Sequence, residues 1–279
     1  MREIPAGLVA ETVARLCIEA NTVAGSDIVE ALRRGLAREK DETPRMVLRT
    51  LLENAEIAKA DSMPICQDTG MAVVFLEVGQ EVYISGNLTE AVNEGVRRGY
   101  RDGYLRNSVV RDPVDRVNTG DNTPAVIHYT IVPGESLKLT VAPKGFGSEN
   151  MSAVKMLKPA DGLSGLEAFV IEAVKNAGGN PCPPVIVGVG VGGTFEFAAS
   201  LAKRALLREV GSVNPNPFWS AAEGRLLAAI NALDIGPGGF GGMTTALAVH
   251  ISPYPTHIAG FPAAVNIGCH VTRHREAVL

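Results

Sequence analysis

Apolar residues recur every three or four positions through the first part of the chain, a spacing that predicts amphipathic helices rather than strands. Val9 and Val13 show this spacing within the first segment. The segments with helical spacing are residues 6–20, 27–39 and 44–60. We therefore predict a helical N-terminal layer over about residues 1–62.

Beyond this layer the pattern changes to short runs of apolar and β-branched residues, which are typical of strands. The predicted strands are AVVFLEVG from Ala72, AVIHYTIVP from Ala125, LKLTVAP from Leu137, PPVIVGVGVGG from Pro183, and the closing runs ALAVHI and AAVNIG. Helical spacing returns at residues 89–103, 164–177, 195–208 and 220–233. Loops rich in glycine and proline interrupt these segments only briefly. We predict one mixed α/β (α+β) domain, residues 1–279, with a mixed-sheet body and flanking helices over residues 63–279.

Composition narrows the class of protein. The 279 residues are 46% hydrophobic and 20% charged, with a formal net charge of -4, and the basic residues are scattered. This balance is typical of a globular protein and argues against a nucleic-acid partner. The first twenty residues contain charges where a signal peptide is apolar, and no later segment is long and apolar enough to span a membrane. We expect a cytoplasmic protein.

Three glycines have the spacing of a dinucleotide-binding motif. Gly188, Gly190 and Gly193 fit G-x-G-x-x-G, and they lie between a predicted strand and a predicted helix. The second strand of such a unit, which ends in an acidic residue about 20 positions further on, is missing. We interpret the glycines as positions where the backbone passes close to a bulky neighbour, or where amides at a helix start face an anion.

The four cysteines are far apart in sequence and form no Cys-x-x-Cys pair. Cys17 lies on an apolar helical stripe and is predicted to belong to the core. Cys66, Cys182 and Cys269 instead lie where an apolar run meets a polar or proline-bounded turn. Thiolates select zinc or iron-sulfur clusters, and three of them leave one coordination position open for chemistry. Because the loop ends of a rigid scaffold usually present ligands, these three thiols can converge on one metal centre.

Four motifs of the chain resemble signatures of the class I, iron-sulfur fumarate hydratase family, which also contains L-tartrate dehydratase. They are ICQDTG, KGFGSENMS, NPCPPVIVGVGVGG and PTHIAGFPAAVNIGCH. The resemblance covers nearly the whole chain, with the motifs in family order. Because single-chain family members are much longer, it implies the α subunit of a two-subunit enzyme. The β subunit is expected to supply further substrate-binding residues and the base, and the αβ unit is expected to dimerise.

The resemblance also implies the roles of individual residues. Cys66, Cys182 and Cys269 match the three ligands of a 4Fe-4S cluster, whose fourth iron binds the substrate, a small dicarboxylate. The residues that match substrate-binding positions are Gln67, Asp68, Arg106, Gly147 and His257. Of these, Asp68 and His257 match catalytic positions. Arg106 suits a substrate carboxylate because its planar guanidinium binds that group with two hydrogen bonds.

Other interpretations of the same residues remain open. Asp68 could bond its own backbone in a turn, Arg106 could be a solvated surface charge, and His257 could be a buried structural histidine. A structural zinc site would make the chain a binding protein, although zinc ligands usually occur in close pairs. A nucleophilic Cys66 would leave the other two cysteines unexplained. We expect reversible hydration of fumarate to L-malate, with L-tartrate dehydration as the alternative and a zinc-binding structural protein as a further alternative.

Overall fold

The computed structural model describes residues 1–279, and helices and strands are interspersed along the chain. The helices are α1 Ala6–Thr22, α2 Ser26–Arg38, α3 Glu42–Ala60, α4 Leu88–Asp102, α5 Phe146–Glu149, α6 Gly162–Ala177, α7 Phe195–Ala205 and α8 Pro217–Asn231. The strands are β1 Arg2–Pro5, β2 Met71–Gly79, β3 Val82–Ser85, β4 Val126–Val132, β5 Leu137–Lys144, β6 Ala153–Leu157, β7 Val185–Gly193, β8 Ala246–Thr256, β9 Phe261–Gly268 and β10 Arg275–Val278. The predicted mixed α/β fold class is confirmed.

All the helices and strands predicted from apolar spacing are present, and the differences lie at their ends or in short elements. α7 ends at Ala205 rather than at residue 208, because the amides of Leu206 and Leu207 bond carbonyls three residues back and tighten the last turn. The elements that were not predicted are β1, β3, β6, β10 and α5. Each has only four or five residues, too few to show a period.

The chain divides into two compact units that are each assembled from separate segments. The first unit contains residues 1–24, 56–146 and 273–279, and the second contains residues 25–55 and 147–272. The predicted N-terminal helical layer is divided between them, because α1 belongs to the first unit and α2 to the second. The single-domain assignment stays a prediction.

The first unit is built on a four-stranded mixed sheet of order β10-β5-β2-β4. β2 pairs parallel with β4 and antiparallel with β5, which in turn pairs antiparallel with β10. α1 and α4 pack against each other so closely that a Cβ atom at Gly95 would lie 2.6 Å from the Ala10 carbonyl oxygen. The sheet and these two helices enclose one apolar core, in which Cys17 is fully buried.

The second unit is built on another four-stranded mixed sheet, of order β6-β9-β7-β8. β7 is central, parallel to β8 and antiparallel to β9, and eight of its nine residues are buried. α6 and α8 contribute to the larger of the apolar clusters of this unit, and α2 contributes to another. The parallel pairing of β7 with β8 requires a crossover connection, which α7 and α8 provide.

The glycines of the apparent dinucleotide motif allow α7 to approach β7. A Cβ atom at Gly188 would lie 2.1 Å from the carbonyl oxygen of Ala202, and one at Gly190 would lie 2.0 Å from that of Ala198. Both contacts are far shorter than any real Cβ contact, so only glycine fits at these positions. The interpretation that the backbone passes close to a bulky neighbour is confirmed, and the neighbour is the α7 backbone. No helix of the chain combines the length and apolar character needed to cross a bilayer.

Candidate functional site

The PICQDTG segment lies in the first unit, immediately before β2. At its start the amide of Ile65 donates to the carbonyl of Asn21, at 2.9 Å. At its end Gly70 has a φ of +79°, and a Cβ atom there would lie 2.8 Å from the main chain of Lys144. The segment therefore needs glycine at its exit, where the backbone turns into the strand.

The carboxylate of Asp68 is oriented by two main-chain amides. Gly70 donates to Oδ1 at 3.0 Å, and Phe146 donates to Oδ2 at 2.9 Å. The first bond is the local turn that the alternative interpretation of Asp68 expected. Because an ionised carboxylate offers about four acceptor sites, these two bonds fix the group and leave it acceptor capacity. Asp68 is half-buried, so a ligand can reach it.

Buried side chains hold the main-chain carbonyls of residues 68–70. Arg273 Nη2 donates to the carbonyl of Asp68 at 2.6 Å. The Tyr100 hydroxyl lies 2.8 Å from the Thr69 carbonyl and 2.9 Å from that of Gly70. Asn122 Nδ2 donates to Gly70 at 3.1 Å. These donors come from three distant parts of the sequence, and burial raises the pKa of Tyr100, which keeps it in the donor form.

Arg106 is hydrogen-bonded to Thr69, the residue that follows Asp68. The Thr69 hydroxyl accepts from the amide of Arg106 at 2.9 Å and lies 3.2 Å from its carbonyl oxygen. Arg106 is exposed, so its guanidinium can bind an anion. Gln67 is also exposed, and its Oε1 accepts from the Cys66 thiol at 3.4 Å. Within the first unit, the predicted residues 66–68 and Arg106 therefore form one cluster.

In the second unit the sheet brings the loops of Cys182 and Cys269 together. Cys182 lies three residues before β7, and Cys269 directly follows β9. Because β7 and β9 are antiparallel neighbours, the start of one and the end of the other lie at the same edge of the sheet. The ring of His270 lies with Nδ1 2.9 Å from the carbonyl oxygen of Cys182, which joins the two loops directly.

The cysteines differ in their exposure. Burial raises the pKa of the Cys17 thiol to about 12, which agrees with its predicted place in the core. Cys182 is exposed, Cys66 and Cys269 are half-buried, and all are thiols outside disulfides. No group of three or more His, Cys, Asp or Glu side chains is arranged to hold a metal ion. The fit of a cluster thus rests on the soft donor chemistry of these thiols and on the joined loops that carry Cys182 and Cys269.

Two predicted substrate-binding residues lie in the second unit. His257 is exposed in the turn between β8 and β9, so it is not the buried structural histidine of the alternative interpretation. Its Nδ1 accepts from the amide of Ala259 at 3.2 Å. Gly147 is exposed in α5, and a Cβ atom there would lie 3.8 Å from the carbonyl oxygen of Asn180. Gly147 is therefore close to the loop that leads to Cys182.

Sequence reasoning missed the residues that hold the PICQDTG segment. Tyr100 and Asn122 are 1% and 0% exposed, and Arg273 is 6% exposed. A buried polar or charged side chain needs a partner, but the sequence does not show which residues are buried. Only Arg273 had a sequence feature that could have drawn attention to it. It follows Cys269 by four residues, in the polar run from Thr272 to Arg275.

Of two other histidines, His250 is buried in the second unit and His128 is half-buried on β4 of the first. His250 is 2% exposed and its Nδ1 lies 3.2 Å from the carbonyl oxygen of Ala205. Burial lowers the pKa of His250 to about 4, with a smaller effect of the same sign from Arg208. His128 stacks on Phe75 with ring centroids 4.8 Å apart. Both rings therefore contact groups of their own units.

Comparisons with known proteins give a consistent result. A family model described as fumarate hydratase (Fumerase) matches residues 10–278. A Methanocaldococcus jannaschii protein, named provisionally as an L(+)-tartrate dehydratase subunit alpha, is 39% identical over 95% of this chain and 95% of its own length. The L(+)-tartrate dehydratase subunit alpha of Escherichia coli strain UTI89 is 33% identical over 96% of this chain and 89% of its own length. The similarity extends well beyond single motifs.

Proposed function

Because the chain belongs to the fumarate hydratase family of hydro-lyases, we propose that it is the α subunit of an L-tartrate dehydratase. The similarity over 95% of the chain to a relative named as that subunit carries the proposal. From the sequence we expected fumarate as the substrate, and the names of the relatives favour L-tartrate, the alternative. Loss of water from L-tartrate gives the enol of oxaloacetate.

The exposed guanidinium of Arg106 supports binding of one substrate carboxylate. Its main chain is fixed by hydrogen bonds with the Thr69 hydroxyl. A planar guanidinium binds a carboxylate with two parallel hydrogen bonds, which also determines the orientation of the substrate. In this proposal Gln67 binds a hydroxyl or carboxylate oxygen beside it, and the exposed main chain at Gly147 lets another part of the substrate approach.

Asp68 and His257 are the groups of this chain that can transfer a proton to the departing hydroxyl oxygen. Asp68 can do so as the carboxylic acid, which becomes the carboxylate that the amides of Gly70 and Phe146 orient. His257 has its Nδ1 engaged with the Ala259 amide, which leaves Nε2 for the substrate. Proton transfer by a positioned side chain contributes about 10²- to 10⁴-fold to the rate. The base that removes the proton from carbon is assigned to a β subunit.

Cys66, Cys182 and Cys269 would hold the 4Fe-4S cluster in this proposal. The support is their donor chemistry, their exposed or half-buried thiols and the joined loops of Cys182 and Cys269. When bound, such a cluster supplies a Lewis-acidic iron that makes hydroxide a better leaving group. A β subunit is proposed as the partner because the relatives are named as α subunits.

Fumarate hydration is the second candidate, because the matching family model is described as fumarate hydratase. L-Tartrate carries one hydroxyl more than L-malate, the hydration product of fumarate, and both are dicarboxylates. The groups of this chain described above suit either substrate.

The test is anaerobic co-expression of this chain with its candidate β subunit and an assay of both reactions. Oxaloacetate formation from L-tartrate is followed with a coupled dehydrogenase, and fumarate loss is followed by ultraviolet absorbance. We expect turnover of L-tartrate with a kcat/KM well above that for fumarate. The opposite ratio would make the enzyme a fumarate hydratase, and turnover of neither substrate would contradict the proposed function.

A further inference from the structure

Arg273 is a buried charge without an ionic partner. The side chain is 6% exposed, forms no ion pair with any carboxylate, and its Nε atom lacks a hydrogen-bond partner. The guanidinium donates from Nη2 to the carbonyl oxygen of Asp68, at 2.6 Å. Burial of an unpaired charge costs several kcal/mol, so a neutral donor could supply the same bond more cheaply.

The bond acts on the segment that orients the Asp68 carboxylate. A hydrogen bond from a charged donor is roughly twice as strong as a neutral one. It fixes the peptide group that follows Asp68, and Tyr100 and Asn122 fix the next two carbonyls. With the main chain fixed, the amides of Gly70 and Phe146 keep both carboxylate oxygens in place. Arg273 is the only charged member of this group of donors.

We propose that Arg273 is a positioning residue that sets the orientation of the Asp68 carboxylate through the main chain of the PICQDTG segment. Its catalytic consequence rests on the function proposed above, in which Asp68 transfers a proton. In this role Arg273 differs from residues that only stabilise the fold. Its removal takes away a buried unpaired charge together with one hydrogen bond, so its effect on stability is small compared with its effect on turnover.

The matched control is Arg275, which also donates from its guanidinium to main-chain carbonyls. Arg275 Nη2 donates to Val23 at 2.8 Å, and Nη1 donates to His274 at 2.9 Å, so neither bond touches the PICQDTG segment. The test compares Arg273→Gln, Arg273→Lys and Arg275→Gln in the αβ complex. Lysine keeps the charged donor, whereas glutamine keeps a donor without the charge.

We expect Arg273→Gln to lower kcat by about 10- to 100-fold, because small misplacements of a reacting group have effects of that size. KM is expected to change by less than about threefold, since substrate binding is not the interaction removed. Arg273→Lys should recover part of the lost kcat, and Arg275→Gln should leave kcat unchanged. In an Asp68→Asn background the loss caused by Arg273→Gln should disappear, because both changes act on one group.

A readout that needs no activity is amide hydrogen exchange in peptides that contain Gly70 and Phe146. Their exchange should be about tenfold faster in Arg273→Gln than in the wild type, and unchanged in Arg275→Gln. Equal exchange in the two glutamine variants would overturn the proposal, as would a loss of kcat that the Asp68→Asn background leaves undiminished. A wild-type complex without turnover of L-tartrate or fumarate would contradict the proposed function, and the exchange measurement would still decide the role of Arg273.

Discussion

The two regions that carry the predicted cysteine ligands are held in place by different means. In the first unit, Cys66 belongs to a segment whose carbonyls are bonded by the side chains of Tyr100, Asn122 and Arg273. In the second unit, Cys182 and Cys269 lie at the ends of paired strands, so the sheet register places them. The conformation of the first region therefore depends on a few polar side chains, while that of the second depends on backbone pairing.

The largest predicted effect is the loss of activity in Asp68→Asn. The asparagine keeps an oxygen that can accept one main-chain amide, but it cannot take up or release a proton in the same way. We expect kcat for L-tartrate to fall by about 10²- to 10⁴-fold, with a change in melting temperature of only a few degrees. Steady-state kinetics and thermal unfolding measure the two effects. Asp61→Asn, at an exposed turn residue five positions before Cys66, is the control.

Failure of Asp68→Asn to lower kcat would mean that the carboxylate serves only the local turn. The polar side chains that bond residues 68–70 would then support the structure of the first region and have no part in catalysis.

Arg106→Ala is expected to act mainly on KM. Hydrogen bonds to charged groups contribute about 1.5–3 kcal/mol, so loss of the guanidinium should raise KM by roughly 10- to 100-fold. The metal content should stay unchanged, since Arg106 is exposed and holds no other side chain. Arg111→Ala, an exposed arginine five residues further on, is the matched control. Loss of bound iron in Arg106→Ala would show that the residue is structural.

Tyr100→Phe tests whether the first region depends on buried side-chain donors. The change removes only the hydroxyl that bonds the carbonyls of Thr69 and Gly70, in a residue that is 1% exposed. Leaving buried acceptors without their donor costs about 1–3 kcal/mol of unfolding free energy. Urea unfolding measures this loss. Tyr129→Phe removes an exposed hydroxyl that bonds Thr89, and we expect a change below about 0.5 kcal/mol.

If Tyr100→Phe and Tyr129→Phe lowered the unfolding free energy equally, the anchoring of residues 68–70 by buried side chains would be contradicted.

The last predicted effect, no larger than that of Tyr100→Phe, is that of His250 in the second unit. Its pKa in the folded state is lowered to about 4, while in the unfolded chain it keeps its ordinary value near 6.5. Between these values the unfolded chain binds the proton and the folded protein does not, so the free energy of unfolding falls as the pH falls through this window. Above the ordinary value both states are neutral and the contribution is constant.

The expected loss from His250 is roughly 1–3 kcal/mol across this window. Urea unfolding at several pH values measures it in the wild type and in His250→Gln. The variant should lose less free energy of unfolding as the pH falls, because it has no proton to bind there. An equal loss in both proteins would show that His250 does not titrate as described.

Much of the fold could be predicted because its helices and longer strands have clear apolar periods. β7, for instance, was visible as the continuous apolar run of a strand buried on both faces. The short strands β3 and β10 could not be found, because four residues show no period. Nor could local patterns show that the first unit joins three separate segments, since that arrangement depends on long-range packing.

The candidate site was predictable where a residue's chemistry and local context coincide. Cys66, Cys182 and Cys269 were singled out because each lies where an apolar run meets a turn, and Asp68 because it matches a catalytic position of the family that the motifs resemble. Tyr100 and Asn122 were not, because their importance comes from burial next to carbonyls that lie 30 and 52 residues away in sequence. Distant hydrogen-bond partners of this kind cannot be inferred from one sequence.

The central proposal is that Cys66, Cys182 and Cys269 hold one iron-sulfur cluster. The most direct test is the iron and acid-labile sulfide content of the anaerobically purified αβ complex, in the wild type and in single serine variants of the four cysteines. We predict about four irons and four sulfides per chain in the wild type, retained in Cys17→Ser and lost in Cys66→Ser, Cys182→Ser and Cys269→Ser. Zinc in place of iron, or full iron in any of those three variants, would contradict the claim.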